Sequence, residues 1–246
     1  MQCRVLAVAN QKGGVGKTAT AVNLAAGLAA QGEPTLVIDL DPQANATGNL
    51  AVEARLPGIA EVLGGEATLR EACWPTGRTG LSLAPGGNRM GAYSLDGRRE
   101  CPWRSDYTRE TFKFVILDCP PSISGPTILA LQESDELVIP VQSEYLALEG
   151  LSSLLRVIEG VRRSPLPLQA RYLITMFDRR NNLAREVEAE LRRHFGKQVS
   201  RSVVPRSVRM AEAPGFRRTI FEHDPTCGAA QAYAAFTEEV LAYGSE

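Results

Sequence analysis

The residues that most constrain this chain stand near its start. A short apolar run, 5–9, passes directly into Asn10-Gln-Lys-Gly-Gly-Val-Gly-Lys-Thr18, and 18–32 is the longest stretch without a charge. An apolar strand, a tight glycine loop and a long helix in that order form the strand–loop–helix unit that closes on phosphate oxygens. Gly13, Gly14 and Gly16 let the backbone curl so that successive N–H groups converge. The helix beginning near Lys17 adds the positive end of its dipole.

In this arrangement Lys17 is expected to reach the β- and γ-phosphates of a nucleotide, and the Thr18 hydroxyl to bind Mg²⁺. The alternative is a glycine-rich turn carrying two solvated lysines. With glycine near 7% of residues, a K-G-G-x-G-K-[S/T] string arises by chance in roughly one such chain in ten thousand. The nucleotide reading is therefore kept.

Strands are predicted at 4–9, 35–39, 80–84, 114–118, 136–141, 170–176 and 199–204, and helices at 17–31, 126–133, 146–163, 183–195 and 229–243. Short apolar runs alternating with longer helical patterns describe a parallel sheet covered by helices. Phe114-Val-Ile-Leu117 is uniformly apolar, as a strand buried on both faces must be. The expected architecture is α/β: a single P-loop nucleotide-binding domain over residues 1–246, with a mostly parallel twisted sheet and helices on both faces. The stretch 86–109, rich in Gly, Arg and Ser, is expected to be a surface excursion.

The net charge of −1 over 246 residues excludes a histone-like polycation and an acidic disordered tail. That figure averages two unlike regions. Residues 160–218 hold 14 Lys or Arg against 5 Asp or Glu, and the rest of the chain is acidic. Five cysteines (Cys3, Cys73, Cys101, Cys119, Cys227) are scattered without a C-x-x-C pair. That usage argues against a disulfide framework or a metal cluster and for a reducing compartment. The opening apolar run is too short for a signal peptide, and no stretch is long enough to span a bilayer. A soluble cytoplasmic protein is expected.

Carboxylates mark two further strand ends. Val37-Ile-Asp39-Leu-Asp41-Pro42-Gln43 places two of them beside the phosphate loop, where open α/β sheets bind ligands. They are candidates for orienting Mg²⁺-bound water and an attacking water, or for capping the turn before Pro42. Ile116-Leu-Asp118-Cys-Pro-Pro-Ser122 ends an apolar strand in Asp, the arrangement that holds Mg²⁺ through water. Cys119, within it, reads as a buried structural thiol.

Gln11 stands where the ordinary loop has its first glycine, and Lys12 adds a second lysine. Here the sequence resembles the deviant Walker A ATPases: ParA/Soj partition proteins, MinD division-site proteins and the nitrogenase iron protein. The D-x-D-P-Q and D-C-P-P-S strings, Tyr145-Leu-Ala-Leu-Glu-Gly-Leu151 and Val204-Pro-Arg-Ser-Val-Arg-Met-Ala-Glu-Ala-Pro214 resemble the ParA/Soj branch in particular. The likeness runs from about residue 4 to 240 and is lowest at 86–112. Ala19 stands where many relatives have a second Thr, but Thr18 keeps the metal hydroxyl.

This resemblance implies an ATPase of slow intrinsic turnover that uses ATP and Mg²⁺. Its nucleotide site would comprise Gln11, Lys12, Gly13, Gly14, Val15, Gly16, Lys17 and Thr18, with Pro205 near the base. Lys12, Lys17 and Asp41 would be catalytic, with Lys12 crossing a nucleotide-sandwich homodimer and Asp41 positioning water. Thr18, Asp39 and Asp118 would serve the metal.

Arg180, Arg206, Arg209, Arg217 and Arg218 are the candidates for contact with non-specific double-stranded DNA, whereas Arg192 and Arg193 are expected to pair with Glu188 and Glu190. The implied function is DNA segregation, with a ParB-like protein stimulating hydrolysis and the ATPase associated with the nucleoid. The alternatives are a ParA-like positioner of another cargo and a MinD-like membrane regulator. The membrane reading is disfavoured because 229–246 contains no Lys or Arg and three Glu, which an anionic bilayer repels. The iron-protein reading lacks cysteines in a ligand context. Because the chain begins almost at its first strand, a DNA-binding helix-turn-helix extension and operator binding are not expected.

Overall fold

The computed structural model describes residues 3–50, 56–92, 101–144, 147–161 and 169–243. Eight strands among them form one sheet: β1 (Arg4–Val8), β2 (Thr35–Asp39), β3 (Trp74–Pro75), β4 (Leu81–Ala84), β5 (Phe114–Asp118), β6 (Glu136–Gln142), β7 (Gln169–Phe177) and β8 (Val199–Pro205). Their spatial order is β3-β4-β2-β5-β1-β6-β7-β8. Every neighbouring pair is parallel except β3 with β4. The connecting helices are α1 (Lys17–Ala30), α2 (Asn45–Asn49), α3 (Ile59–Gly64), α4 (Asp106–Thr111), α5 (Gly125–Glu133), α6 (Ala147–Val161), α7 (Asn182–Phe195), α8 (Val208–Glu212), α9 (Ile220–His223) and α10 (Gly228–Ala242).

Strand side chains alternate between two cores because successive Cβ atoms leave opposite faces of a sheet. Val5, Ala7, Ile38, Leu117 and Ile139 join α5, α6 and α7 on one side. Leu6, Val8, Val37, Ile116 and Val138 meet α1 and α10 on the other. Each fully buried Leu, Ile or Val contributes about 1.5–3 kcal/mol, so the interior strands dominate the hydrophobic term. Gly27 permits the close approach of α1 and α10: a Cβ there would lie 2.3 Å from Thr237 Oγ1. Thr20 Oγ1 and Tyr233 OH, 3.1 Å apart, join the same two helices.

The seven predicted strands and five long helices are all present, within a residue or two at their ends. Residues 146, 162 and 163 of one predicted helix, and Tyr145 of the quoted motif, lie outside the described residues. The surface excursion at 86–109 is corrected. Trp103 is fully buried and Met90 nearly so, both within the core that backs α5. A short turn, Pro102–Arg104, leads into α4, and Arg104 bridges to Asp135 at 2.8 Å. Polar composition concealed two apolar anchors; residues 93–100 lie outside the described ones.

The order places β1 between β5 and β6, with connections leaving to opposite sides. That reversal opens a crevice beyond the carboxyl ends of the strands, which is where the phosphate loop emerges from β1.

Candidate nucleotide site and basic surface

The loop after β1 is built by polar anchoring. Asn10 Nδ2 donates to Pro140 O at 2.8 Å, while its Oδ1 accepts from Lys12 N at 3.0 Å. Thr175 Oγ1 donates to Val15 O at 2.9 Å, tying the loop to β7. Gly14 and Gly16 have φ of 75° and 89°, a left-handed backbone that side chains resist. Gly13, Gly14, Gly16, Lys17, Thr18, Asp41, Gln43, Asn45, Pro121 and Met176 line a cleft of about 370 Å³. Met176 itself has φ of 51°, uncommon for a non-glycine residue and placed at the rim of this cleft.

Lys17 is buried, and its ammonium donates to Lys12 O at 3.1 Å. Burial lowers its pKa, against which Asp118 and Asp41 act as counter-charges. Lys12 is different. It is partly exposed, and its ammonium reaches only as far as Glu144, at 2.5 Å. The two lysines of the loop thus face separate tasks, one sunk beneath the cleft and one at its edge.

Asp39 and Asp118 occupy partnered positions on β2 and β5 and are both completely buried. Asp39 is well supplied with donors: its Oδ2 accepts from Thr47 N and Oγ1 at 2.8 and 2.7 Å, and its Oδ1 from Asp41 N at 3.2 Å. Burial still raises its carboxyl to about 6, with those bonds opposing. Neither oxygen of Asp118 has a donor at full hydrogen-bond geometry. Burial, and then the charge of Asp39, push it well above the carboxylate range, while Thr18 and Lys17 oppose the shift. Asp41 accepts from Gln43 N at 2.9 Å, which fixes the turn before α2.

An orphaned, fully buried carboxylate beside a threonine hydroxyl is the electrostatic complement of a divalent cation. No group of three acidic, His or Cys ligands forms a ready-made cage among the described residues. That suits Mg²⁺, which keeps waters and shares its shell with substrate phosphates. Thr18, Asp118 and, behind its Thr47 bonds, Asp39 therefore fit the metal expected from the sequence. Cys119 is buried, its thiol raised by burial, in keeping with a structural thiol.

The basic residues divide by their partners. Asp178, Arg179, Arg180, Arg192, Arg201, Pro205 and Arg206 lie around a second, larger cleft of about 990 Å³ at the ends of β7 and β8. Pro205 belongs to this cleft and is not among the residues lining the phosphate-loop cleft. The loop before α7 is preorganised: Asn181 caps the helix through Leu183 N, and Asp178 accepts from Arg180 N. Arg192 pairs with Glu188 and Arg193 with Glu190, as expected. Arg209 is held by Glu212 at 2.9 Å and Asp224 at 3.5 Å. Arg179, Arg206, Arg217 and Arg218 are exposed and enter no ion pair among the described residues.

Thr47, Glu144 and Thr175 escaped sequence reasoning. Glu144 and Thr175 act on the loop from distant segments, Thr47 acts on Asp39 from eight residues on, and nothing in the local wording marks any of them.

A family model described as an AAA domain matches residues 3–169. The chromosome-partitioning ATPase Soj of Thermus thermophilus is 46% identical, covering 97% of this chain and 96% of its own length. The chromosome partitioning protein ParA of Caulobacter vibrioides is 40% identical, with 97% and 94% covered. Among solved structures, a cobyrinic acid a,c-diamide synthase from Mycobacterium smegmatis, with bound ATP analogue and magnesium, is 30% identical. It superposes with a TM-score of 0.82 over 99% of this chain and 96% of that one. The cell-division ATPase MinD of Pyrococcus furiosus shares the fold at a TM-score of 0.81 and 20% identity, over 98% and 99%. With the phosphate loop, the paired carboxylates and these relatives together, the chain belongs to the ParA/Soj family of chromosome-partitioning ATPases, P-loop enzymes that use ATP and Mg²⁺.

Proposed function

We propose that the protein is an ATP-driven DNA-segregation switch, cytoplasmic and nucleoid-associated. ATP with Mg²⁺ brings two copies face to face, and Lys12 leaves Glu144 for the phosphates of the opposite copy. The dimer then presents two basic faces to DNA, which raises avidity without new contacts. Hydrolysis, with Asp41 positioning water and Lys17 countering phosphate charge, releases the DNA, and a ParB-like protein stimulates that step. Catalysis of this kind is mostly positioning and charge stabilisation, so unstimulated turnover is slow.

The observation that carries the proposal is the separation of cations. Lys17 is buried under the nucleotide cleft, whereas Arg179, Arg206, Arg217 and Arg218 stay exposed and unpaired among the described residues. Exposed arginines without a carboxylate partner suit phosphodiester contact, because that contact is chiefly charge neutralisation.

Retention on a duplex of arbitrary sequence, measured with ATP and Mg²⁺ and then with ADP, tests the proposal. Retention should require ATP and disappear in Lys17→Ala. Equal retention in both nucleotides across a salt titration would refute it.

A further inference from the structure

Arg78, in the turn between β3 and β4, lies outside both clefts, yet it ties together three segments distant in sequence. Its guanidinium makes a two-pronged contact with Glu222, Nε to Oε1 at 3.0 Å and Nη2 to Oε2 at 2.8 Å. Nη1 donates to Leu50 O at 3.0 Å, and Nη2 to Arg217 O at 3.1 Å. A remaining bond, Nη1 to Thr76 O at 3.4 Å, anchors the guanidinium to its own turn. Only the planar five-donor fork of arginine spans such a set.

Each acceptor has a further connection. Leu50 ends α2, the helix whose Thr47 binds Asp39 through both backbone and hydroxyl. Ahead of α2, Gln43 N is bonded to Asp41. Arg217 sits in a left-handed conformation at φ 54° and precedes Arg218, so holding its carbonyl fixes the peptide unit that joins the two exposed arginines. Glu222 completes the other end by accepting from Thr219 N and Oγ1 at the start of α9.

We infer that Arg78 is a positioning residue that couples the nucleotide carboxylates to the exposed Arg217–Arg218 turn. The inference rests on the DNA-binding reading of that turn. Binding charge at Asp39 and Asp41 bears on α2, and Arg78 transmits the position of the end of α2 to the backbone of Arg217. Without the guanidinium, both sites persist but respond independently.

The test compares DNA affinity with a non-hydrolysable ATP analogue plus Mg²⁺ and with ADP, in the full chain and in Arg78→Gln. Coupling is a ratio of affinities, and typical couplings run from about 5- to 150-fold. Arg78→Gln should lower the ratio at least about fivefold while leaving analogue affinity in the absence of DNA unchanged. Arg78→Lys, which keeps the charge but loses the fork, should behave in the same way, and it carries the test if the glutamine variant fails to fold. An unchanged ratio in a folded variant would overturn the inference while leaving the DNA reading intact. A wild-type protein with no nucleotide-dependent DNA affinity would overturn that reading, and the coupling with it.

Discussion

Burying a carboxylate without a donor at full hydrogen-bond geometry costs free energy, and Asp118, opposed only by Thr18 and Lys17 nearby, is such a group. Its carboxyl and that of Asp39 hold protons more tightly in the folded chain than the ordinary value of 3.8 allows, Asp39 at about 6. A group with this shift stabilises the fold at pH below its unfolded value, and the contribution is lost as pH rises towards its folded value. Asp118→Asn removes one of the two titrations. In EDTA, the Tm of the variant relative to wild type should therefore climb as pH rises above 3.8. Nucleotide with Mg²⁺ should shrink the difference, since cation binding supplies what the buried charge lacks. A difference that nucleotide and Mg²⁺ leave unchanged would remove Asp118 from the metal site. Lys17, Thr18 and the three glycines were legible because the loop is contiguous and its chemistry is local. Glu144 and Arg78 were not, because their partners lie on other segments and meet them only through the fold; Thr47 was not, because its bond to Asp39 forms only once the short helix α2 turns back onto β2.

Among the elements, β8 shows how an outer strand is protected. Its pairing with β7 is irregular, with shifts on both sides of Ile174. Side chains take over the backbone groups instead. Glu239 of α10 accepts from Arg201 N at 2.9 Å and Ser202 N at 2.7 Å, and Arg192 of α7 donates to Ser200 O. An outer strand with free N–H groups is a template for pairing with another chain. Glu239→Ala should cost about 1–3 kcal/mol, read from the urea midpoint, and increase self-association seen by light scattering. Unchanged stability would show that water replaces the carboxylate without penalty. The strands of the sheet interior were legible because burial on both faces demands unbroken apolar runs such as Phe114 to Leu117. β3, with two residues, and α2, α3, α8 and α9, with four to six, are too short to establish a period. Trp103 was masked by its polar neighbours, though it is as buried as any residue of the core.

Across the whole molecule, near-neutrality conceals a division of labour between paired and unpaired cations. Binding to DNA should weaken linearly in log salt, with a slope of about 0.9 per phosphate neutralised. Arg206→Ala should reduce that slope by about one unit. Arg209→Ala should reduce it less, because Glu212 and Asp224 already neutralise Arg209. Equal effects from the two substitutions would mean that Arg209 exchanges its carboxylates for phosphate at no cost. The sheet order also bears on how the chain is made. β1 is made before the other strands but lies between β5 and β6, so neither neighbour exists until residues 114–118 and 136–142 have been synthesised. Non-local pairing of this kind is slow, since loop-closure entropy must be met before contacts repay it. The nascent chain therefore carries an apolar, unpaired central strand and its phosphate loop until residues 114–118 are made, the interval in which a chaperone has the most to protect.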